Sequence, residues 1–182
     1  MNTRRTRHKF HTDPISCDVP AQAAVSQRET EFEKQRGISG VDIRTGFAQV
    51  QVSDLEGDVS QERLHVLAIL RDAGISLDFL KFTPTGLSFL ISETEAPKVT
   101  AALTSAKGTH QIDRGRSVVL VHAVNMRDEE GLLAEVVSAA ISSGAAIDHL
   151  GDMHDRLLIV TSAEGANLIK KTVIGQFLGG QA

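Results

Sequence analysis

The feature that most constrains the fold is an internal repeat: the chain carries the same pattern twice, at an offset of 70 residues. When Gly74 is aligned with Gly144, the flanking apolar segments match without a gap, and Asp78 falls on Asp148. An acidic residue at the same place in two apolar segments is not expected by chance. Two copies indicate a duplicated domain, because a solenoid needs three or more repeats to bury a continuous core.

Composition and charge exclude several classes of function. The 182 residues carry a net charge of −4, which gives no electrostatic reason to expect nucleic-acid binding outside a basic cluster at residues 4–9. The single cysteine, Cys17, cannot form an intrachain disulfide, so we expect a cytoplasmic protein. No apolar run approaches the ~20 residues of a membrane span. We therefore expect neither nucleic acid nor membrane as a partner.

Residues 1–36 differ from the rest of the chain, because they are polar, contain Pro14 and Pro20, and show no hydrophobic period. Such a segment lacks the apolar surface that would offset the entropy of ordering, so we expect a disordered tail. From Gly37 onward apolar residues alternate with polar ones, and Thr45-Gly46 is a turn signal. This pattern predicts a leading hairpin.

The order of elements predicts the fold class. Each copy has a strand, a helix, two strands joined by a turn, and a second helix, and the first copy adds a closing strand. This order predicts an α+β fold with two ferredoxin-like (βαββαβ) units in tandem, whose antiparallel sheets carry helices on one face. We place the first unit, with its hairpin, at residues 37–114, the second at 115–178 and a frayed end at 179–182. The other face of each sheet must be covered, either by another unit of the chain or in a homodimer.

The second copy resembles the second ACT domain of aspartokinase. It has an apolar strand, an Asn125-Met126 turn, a glycine (Gly131) that opens the helix, and a last helix that ends at Phe177. The segment from Ile38 to Ser92 resembles the start of the regulatory half of the same enzyme, and we expect no kinase domain before it. The resemblance implies a non-catalytic sensor without a cofactor, whose ligand is a small molecule, most often an amino acid.

The resemblance also implies a pocket at the interface of a homodimer. Asp58 matches the acidic residue that would hold the ligand ammonium, and Ile147 matches the family pattern. Three other positions depart from it: Gln61 stands for a loop glycine, Phe82 for a glutamine and Ala146 for an asparagine. These departures suggest a ligand more apolar than lysine or threonine, or no ligand.

Helix starts are the second reason to expect a binding site. The first backbone N–H groups of a helix lack partners inside it, and the positive end of the helix dipole attracts a carboxylate. We therefore expect ligand contacts at Asp58-Val59-Ser60 or at Glu130-Gly131-Leu132. The complete set of candidate ligand-binding residues is Asp58, Val59, Ser60, Gln61, Phe82, Asn125, Met126, Glu130, Gly131, Leu132, Ala146 and Ile147.

No other motif predicts chemistry strongly. The acids and histidines of residues 148–155 have poor spacing for a metal site, since neighbours along a strand point to opposite faces. No arrangement of serine, histidine and carboxylate can be identified, so we predict no catalytic residue. The expected function is control of a partner enzyme, and an amino-acid biosynthetic enzyme is a candidate partner. The alternatives are an assembly module that has lost its ligand and a separate regulatory subunit of aspartokinase.

Overall fold

The computed structural model describes residues 37–124, 126, 129–153 and 155–179. The predicted tail at residues 1–36, Asn125 and the last three residues lie outside this part of the chain. The elements of the described residues are β1 (Gly37–Ser53), α1 (Val59–Asp72), β2 (Phe79–Thr83), β3 (Gly86–Ser92), α2 (Ala96–Leu103), β4 (Thr109–Val124), α3 (Leu132–Ser142), β5 (Ile147–Asp152), β6 (Arg156–Ser162) and α4 (Ala163–Val173).

The six strands form one antiparallel sheet in the order β2-β3-β1-β4-β6-β5. The predicted α+β class and the predicted turn between β2 and β3 are confirmed. A 3₁₀ turn (Glu93–Glu95) precedes α2, and a π-helical turn (Ile174–Leu178) follows α4. Among the described residues no helix is long and apolar enough to cross a membrane.

The predicted leading hairpin is wrong. β1 runs without interruption from Gly37 to Ser53, and Thr45-Gly46 forms a bulge within it. A matching irregularity at Arg114-Gly115 interrupts the pairing on β4. Gly46 and Gly115 both have a positive φ, 84° and 68°, which a glycine adopts without steric cost. The same residue type that marks a hairpin turn therefore marks a bend in a continuous strand here.

The bend divides each long strand between the two units. Residues 47–53 of β1 pair with β3 and with residues 109–113 of β4, so they belong to the first unit. Residues 37–44 of β1 pair with residues 116–124 of β4, which also pair with β6. The strand that completes the second unit therefore precedes the first unit in the sequence. The predicted boundary between residues 114 and 115 falls at the β4 bulge, and it stays a prediction.

The bulges also keep all four helices on one side of the sheet. Side chains alternate along a strand, so one extra residue exchanges the faces. Val41, before the bulge, packs with α3 and α4 of the second unit, whereas Val50, after it, packs with α1 and α2 of the first. Val41 and Val50, at an odd and an even position of the same strand, therefore point to the same side of the sheet. The predicted placement of the helices on one face requires this.

The opposite faces of the two half-sheets meet each other. A third apolar cluster joins Phe47 and Leu90 of the first unit to Val118, Leu158 and Val160 of the second. This packing buries, within one chain, the sheet faces that carry no helices and that the sequence analysis expected to be covered. Burial of these sheet faces therefore does not require a dimer.

Candidate ligand sites at the helix N-termini

The start of α1 is capped by its own chain. One carboxylate oxygen of Asp58, Oδ1, accepts hydrogen bonds from the backbone N–H groups of Ser60 (2.9 Å) and Gln61 (3.2 Å). The N–H of Glu62 donates to the Asp58 carbonyl at 3.0 Å. Asp58 is therefore an N-cap, and it occupies the donors that a ligand carboxylate would need. Of this turn, only the N–H of Val59 is left for a ligand.

Phe82 lies beside α1 on the edge strand β2, and its ring is 56% exposed. The Arg63 guanidinium lies 5.1 Å from the ring centroid. Arg63 Nε donates to the Gly86 carbonyl at 2.9 Å, and its Nη2 donates to the Thr83 carbonyl. The structure thus places Phe82 beside α1, against the guanidinium of an arginine that is hydrogen-bonded to the backbone.

The start of α3 is arranged differently. Its first helical residue follows Gly131, which has a positive φ of 83°, and no side chain of the described residues caps the helix. The Leu132 N–H makes one long bond, 3.3 Å, to the Glu129 carbonyl. The backbone N–H groups of Leu133 and Ala134 have no acceptor among the described residues. Because these donors lie at the positive end of the helix dipole, they can receive an anion.

An open groove of about 660 Å³ adjoins this helix start. It is lined by Met126, Glu129, Glu130, Gly131, Leu133, Ala134, Val137, Ser138 and Asp152. Met126, only 1% exposed, anchors it in the core of the second unit. Three carboxylates border the groove; Glu129 Oε2 is buried without a partner among the described residues, whereas Asp152 has one. The groove therefore offers donors for a carboxylate, acids for a cation and an apolar wall.

Of the candidate residues of the second unit, Met126, Glu130 and Gly131 line the groove, and Leu132 is buried beside it. Ile147 begins β5 and packs against the core of the second unit, while the Ala146 carbonyl accepts a hydrogen bond from the Thr161 hydroxyl. The groove lies at the far end of β5, at Asp152, about 16 Å along a strand. Ala146 and Ile147 are therefore not part of it, and Asn125 lies outside the described residues.

Six residues of the groove were not predicted: Glu129, Leu133, Ala134, Val137, Ser138 and Asp152. Helical spacing was the available signal for three of them. Ala134 lies three residues before Val137 and four before Ser138, so these three residues share one face of α3. Nothing local connects Asp152 to this face, because it arrives from the end of β5.

The acids and histidines of β5 have structural partners. Asp148 forms an ion pair with Arg116, Oδ2 to Nε at 3.1 Å. His149 is buried, with its Nε2 2.8 Å from the Ser88 hydroxyl oxygen. In the part of the chain that the structure describes, no group of three or more His, Cys, Asp and Glu residues could hold a metal ion.

The two units, with their shared strands and helices on one face, define a tandem ACT fold. The regulatory subunit of aspartate kinase from Thermus thermophilus matches it with a TM-score of 0.71 at 20% identity, covering 78% of this chain and 99% of that one. A putative C-terminal regulatory domain of aspartate kinase from Porphyromonas gingivalis matches with a TM-score of 0.63 at 15% identity, covering 76% and 96%. Aspartokinase III from Escherichia coli, in complex with lysine and aspartate, matches with a TM-score of 0.61 at 12% identity, covering 79% and 34%.

No protein-family model and no curated protein sequence matches the chain. At 20% identity or less, the structural likenesses show the fold. The chain has the fold of aspartate kinase regulatory regions, and it covers almost all of a regulatory subunit and of a putative regulatory domain.

Proposed function

We propose that this chain is a non-catalytic regulatory protein that binds a free amino acid in the α3 groove and controls a partner enzyme. Its similarity to regulatory subunits of aspartate kinase supports the regulatory role. The observation that carries the ligand proposal is the groove at the start of α3, which is bordered by carboxylates and where the described residues provide no side-chain cap.

The groove has complementary groups for all three parts of an amino acid. The N–H groups of Leu133 and Ala134, which have no acceptor among the described residues, can hold the α-carboxylate. Glu130, exposed at the rim, and Glu129 can hold the α-ammonium. The ligand needs both its α-carboxylate and its α-ammonium, because the carboxylates at the rim repel an anion that lacks a cationic group.

The walls of the groove select the side chain of the ligand. Met126, Leu133 and Val137 are apolar, so they favour a small apolar side chain over that of lysine. A solved aspartokinase III contains lysine and aspartate, which supports an amino acid as the class of ligand. The apolar walls of this groove support a member of that class with an apolar side chain.

We further propose that the protein is a homodimer that couples ligand binding to the partner enzyme. Exposed apolar side chains occur on two elements of the first unit, at Leu64 of α1 (59% exposed) and at Leu80 and Phe82 of β2. Exposed apolar side chains of this size favour association. A ligand that fits one arrangement of the dimer better shifts the population toward that arrangement.

A thermal-shift panel of the common amino acids tests the ligand proposal. A ligand at a hundred times its dissociation constant stabilises the folded state by about 2.7 kcal/mol. The variant Ala134→Glu adds a carboxylate at the third residue of α3, where acids are compatible with the helix dipole. We expect it to fold normally and to lose most of the ligand-induced shift.

The matched control is Gln61→Glu, because Gln61 is the third residue of α1 in the first copy. We expect this control to keep the full shift. A shift that Ala134→Glu leaves intact would refute the groove as the site. Light scattering of the wild type and of Phe82→Glu tests the homodimer, which the variant should weaken.

The alternative is an assembly module without a ligand. It is supported by the first unit, where the Asp58 carboxylate caps its own helix and Arg63 covers one face of Phe82. If no amino acid shifts the melting temperature while light scattering gives a dimer, the assembly module replaces the sensor.

A further inference from the structure

A second cavity lies on the inner side of the molecule, between the facing half-sheets. Its volume is about 120 Å³, and its lining comes from both units. Phe79 and Leu90 contribute from the first unit, and Val118, Leu120 and Leu158 from the second. This cavity shares no lining residue with the α3 groove. It is a gap within the apolar cluster that packs the two half-sheets against each other.

The floor and the rim of this inter-sheet cavity differ in chemistry. Leu90, Val118 and Leu158 are buried and form an apolar floor. Two arginines, Arg44 and Arg156, stand at the rim. An apolar cavity with convergent polar groups at its mouth is the usual form of a small-molecule site.

The two arginines are not equivalent. Arg156 donates from Nε and Nη2 to the Asp155 carboxylate at 2.9 and 2.7 Å, and this pairing lowers the pKa of Asp155 to about 2. Arg44 is exposed, and among the described residues it has no ion pair. Its guanidinium lies 5.6 Å from the centroid of the Phe47 ring, which belongs to the same cavity lining. Arg44 is therefore the cation at this rim that can receive an anion.

The volume limits the size of the ligand. A water molecule takes about 30 Å³ of liquid, so the cavity equals roughly four waters and admits about four to six non-hydrogen atoms. An aromatic ring with a substituent is too large, and an inorganic anion would leave the apolar floor unmatched. A carboxylate with a short aliphatic chain matches both parts, because its tail can be buried while its charged end stays at the rim.

We propose that the cavity between the facing half-sheets binds a short-chain aliphatic carboxylate, with its tail between Leu90, Val118 and Leu158 and its carboxylate on Arg44. An α-ammonium group, as in alanine, would lie toward Asp78, which is also at the rim. The bound ligand touches both units and strengthens their packing. This site is independent of the α3 groove and goes beyond the amino-acid sensor proposed above.

Methyl-detected NMR of the full chain, titrated with propionate against sodium chloride at equal ionic strength, tests the proposal. We expect saturable shifts at the methyl groups of Leu90, Val118 and Leu158. Arg44→Gln should weaken the affinity by at least about tenfold, or about 1.4 kcal/mol, because the carboxylate loses its charged hydrogen-bond partner. Arg71→Gln, on exposed α1, removes the same charge elsewhere and should leave the affinity unchanged.

A second ligand and a second variant separate this site from the groove. A titration with alanine in place of propionate tests whether an α-ammonium group interacts with Asp78. A larger affinity for alanine indicates that interaction, and an equal affinity indicates that the carboxylate is the recognised group. Ala134→Glu should not alter the cavity shifts, even if it abolishes amino-acid binding in the groove. If neither ligand shifts the cavity methyl groups, or if Arg44→Gln binds as well as the wild type, the proposal is overturned.

Discussion

His149 should make the stability of this protein depend on pH. Its side chain is 8% exposed and lies between the facing half-sheets, 5.5 Å from the Phe79 ring between centroids. The Ser88 hydroxyl can donate to the Val50 carbonyl (3.2 Å) and accept from Gln49 Nε2 (3.3 Å). It then accepts a bond from His149 Nε2, at 2.8 Å, when the ring is neutral and carries its proton there.

Protonation of His149 would put a second N–H, on Nδ1, where the described residues offer no acceptor. Burial lowers the pKa of His149, nearby Lys81 lowers it further, and Asp148 opposes the change. A histidine whose pKa is lowered on folding binds more protons in the unfolded state. The stabilisation that His149 contributes to the folded state is therefore complete above its pKa in the unfolded state, about 6.5. It is lost as the pH falls toward its pKa in the folded state.

The size of the effect has an upper bound. A single proton changes the free energy of unfolding by at most about 1.4 kcal/mol per pH unit. Between pH 7.5 and 5.5 the loss of stability due to His149 should therefore not exceed about 1.4 kcal/mol. Urea unfolding at the two pH values measures it.

His149→Leu should remove this part of the pH dependence, because leucine does not titrate. The variant places an apolar side chain against Phe79, and Ser88 keeps its hydrogen bonds to Val50 and Gln49. His65→Gln is the control, because it removes one histidine from an exposed position on α1. An equal pH dependence in the wild type and in His149→Leu would refute the argument.

Three further predictions concern stability. Asp58→Ala removes an N-cap and should lower the free energy of unfolding by about 1 kcal/mol, measured by urea unfolding. Gly46→Ala should cost about 1–2 kcal/mol through its positive φ alone, since no atom lies within 4 Å of the added Cβ; a variant as stable as the wild type would show that the bulge can relax. Deletion of residues 1–36 should leave the melting temperature unchanged, whereas deletion of residues 1–46 should unfold the second unit, which calorimetry distinguishes.

The local elements could be predicted from the sequence because their signals are local. The turn between β2 and β3 and the helix stop at Gly74 follow from residue type and hydrophobic spacing. The hairpin at Thr45-Gly46 was mispredicted because a glycine with positive φ suits both a turn and a bulge. Only the partner strand decides between them, and residues 116–124 lie far away in the sequence.

The candidate site could be predicted only in part for the same reason. Gly131 identified the open helix start, and Asp58 was recognised as an acid near the start of the other helix. Whether such an acid faces a ligand or caps its own helix depends on the side-chain geometry, which residue type does not specify. The groove itself requires Asp152, whose position follows from the pairing of β5 with β6.

The bulges show that the repeat extends further than the aligned segments suggested. Gly46 and Gly115 are 69 residues apart, and so are Val50 and Val119, which point to the helix side of the first and second unit respectively. The leading half of β1 is then the counterpart of the leading half of β4, and each completes the unit that it pairs with. Because the chain passes through the bend twice, once on each long strand, neither unit has its four strands without the other. The duplicated sequence therefore encodes one folding body, in which residues 37–44 are as necessary to the second unit as its own helices.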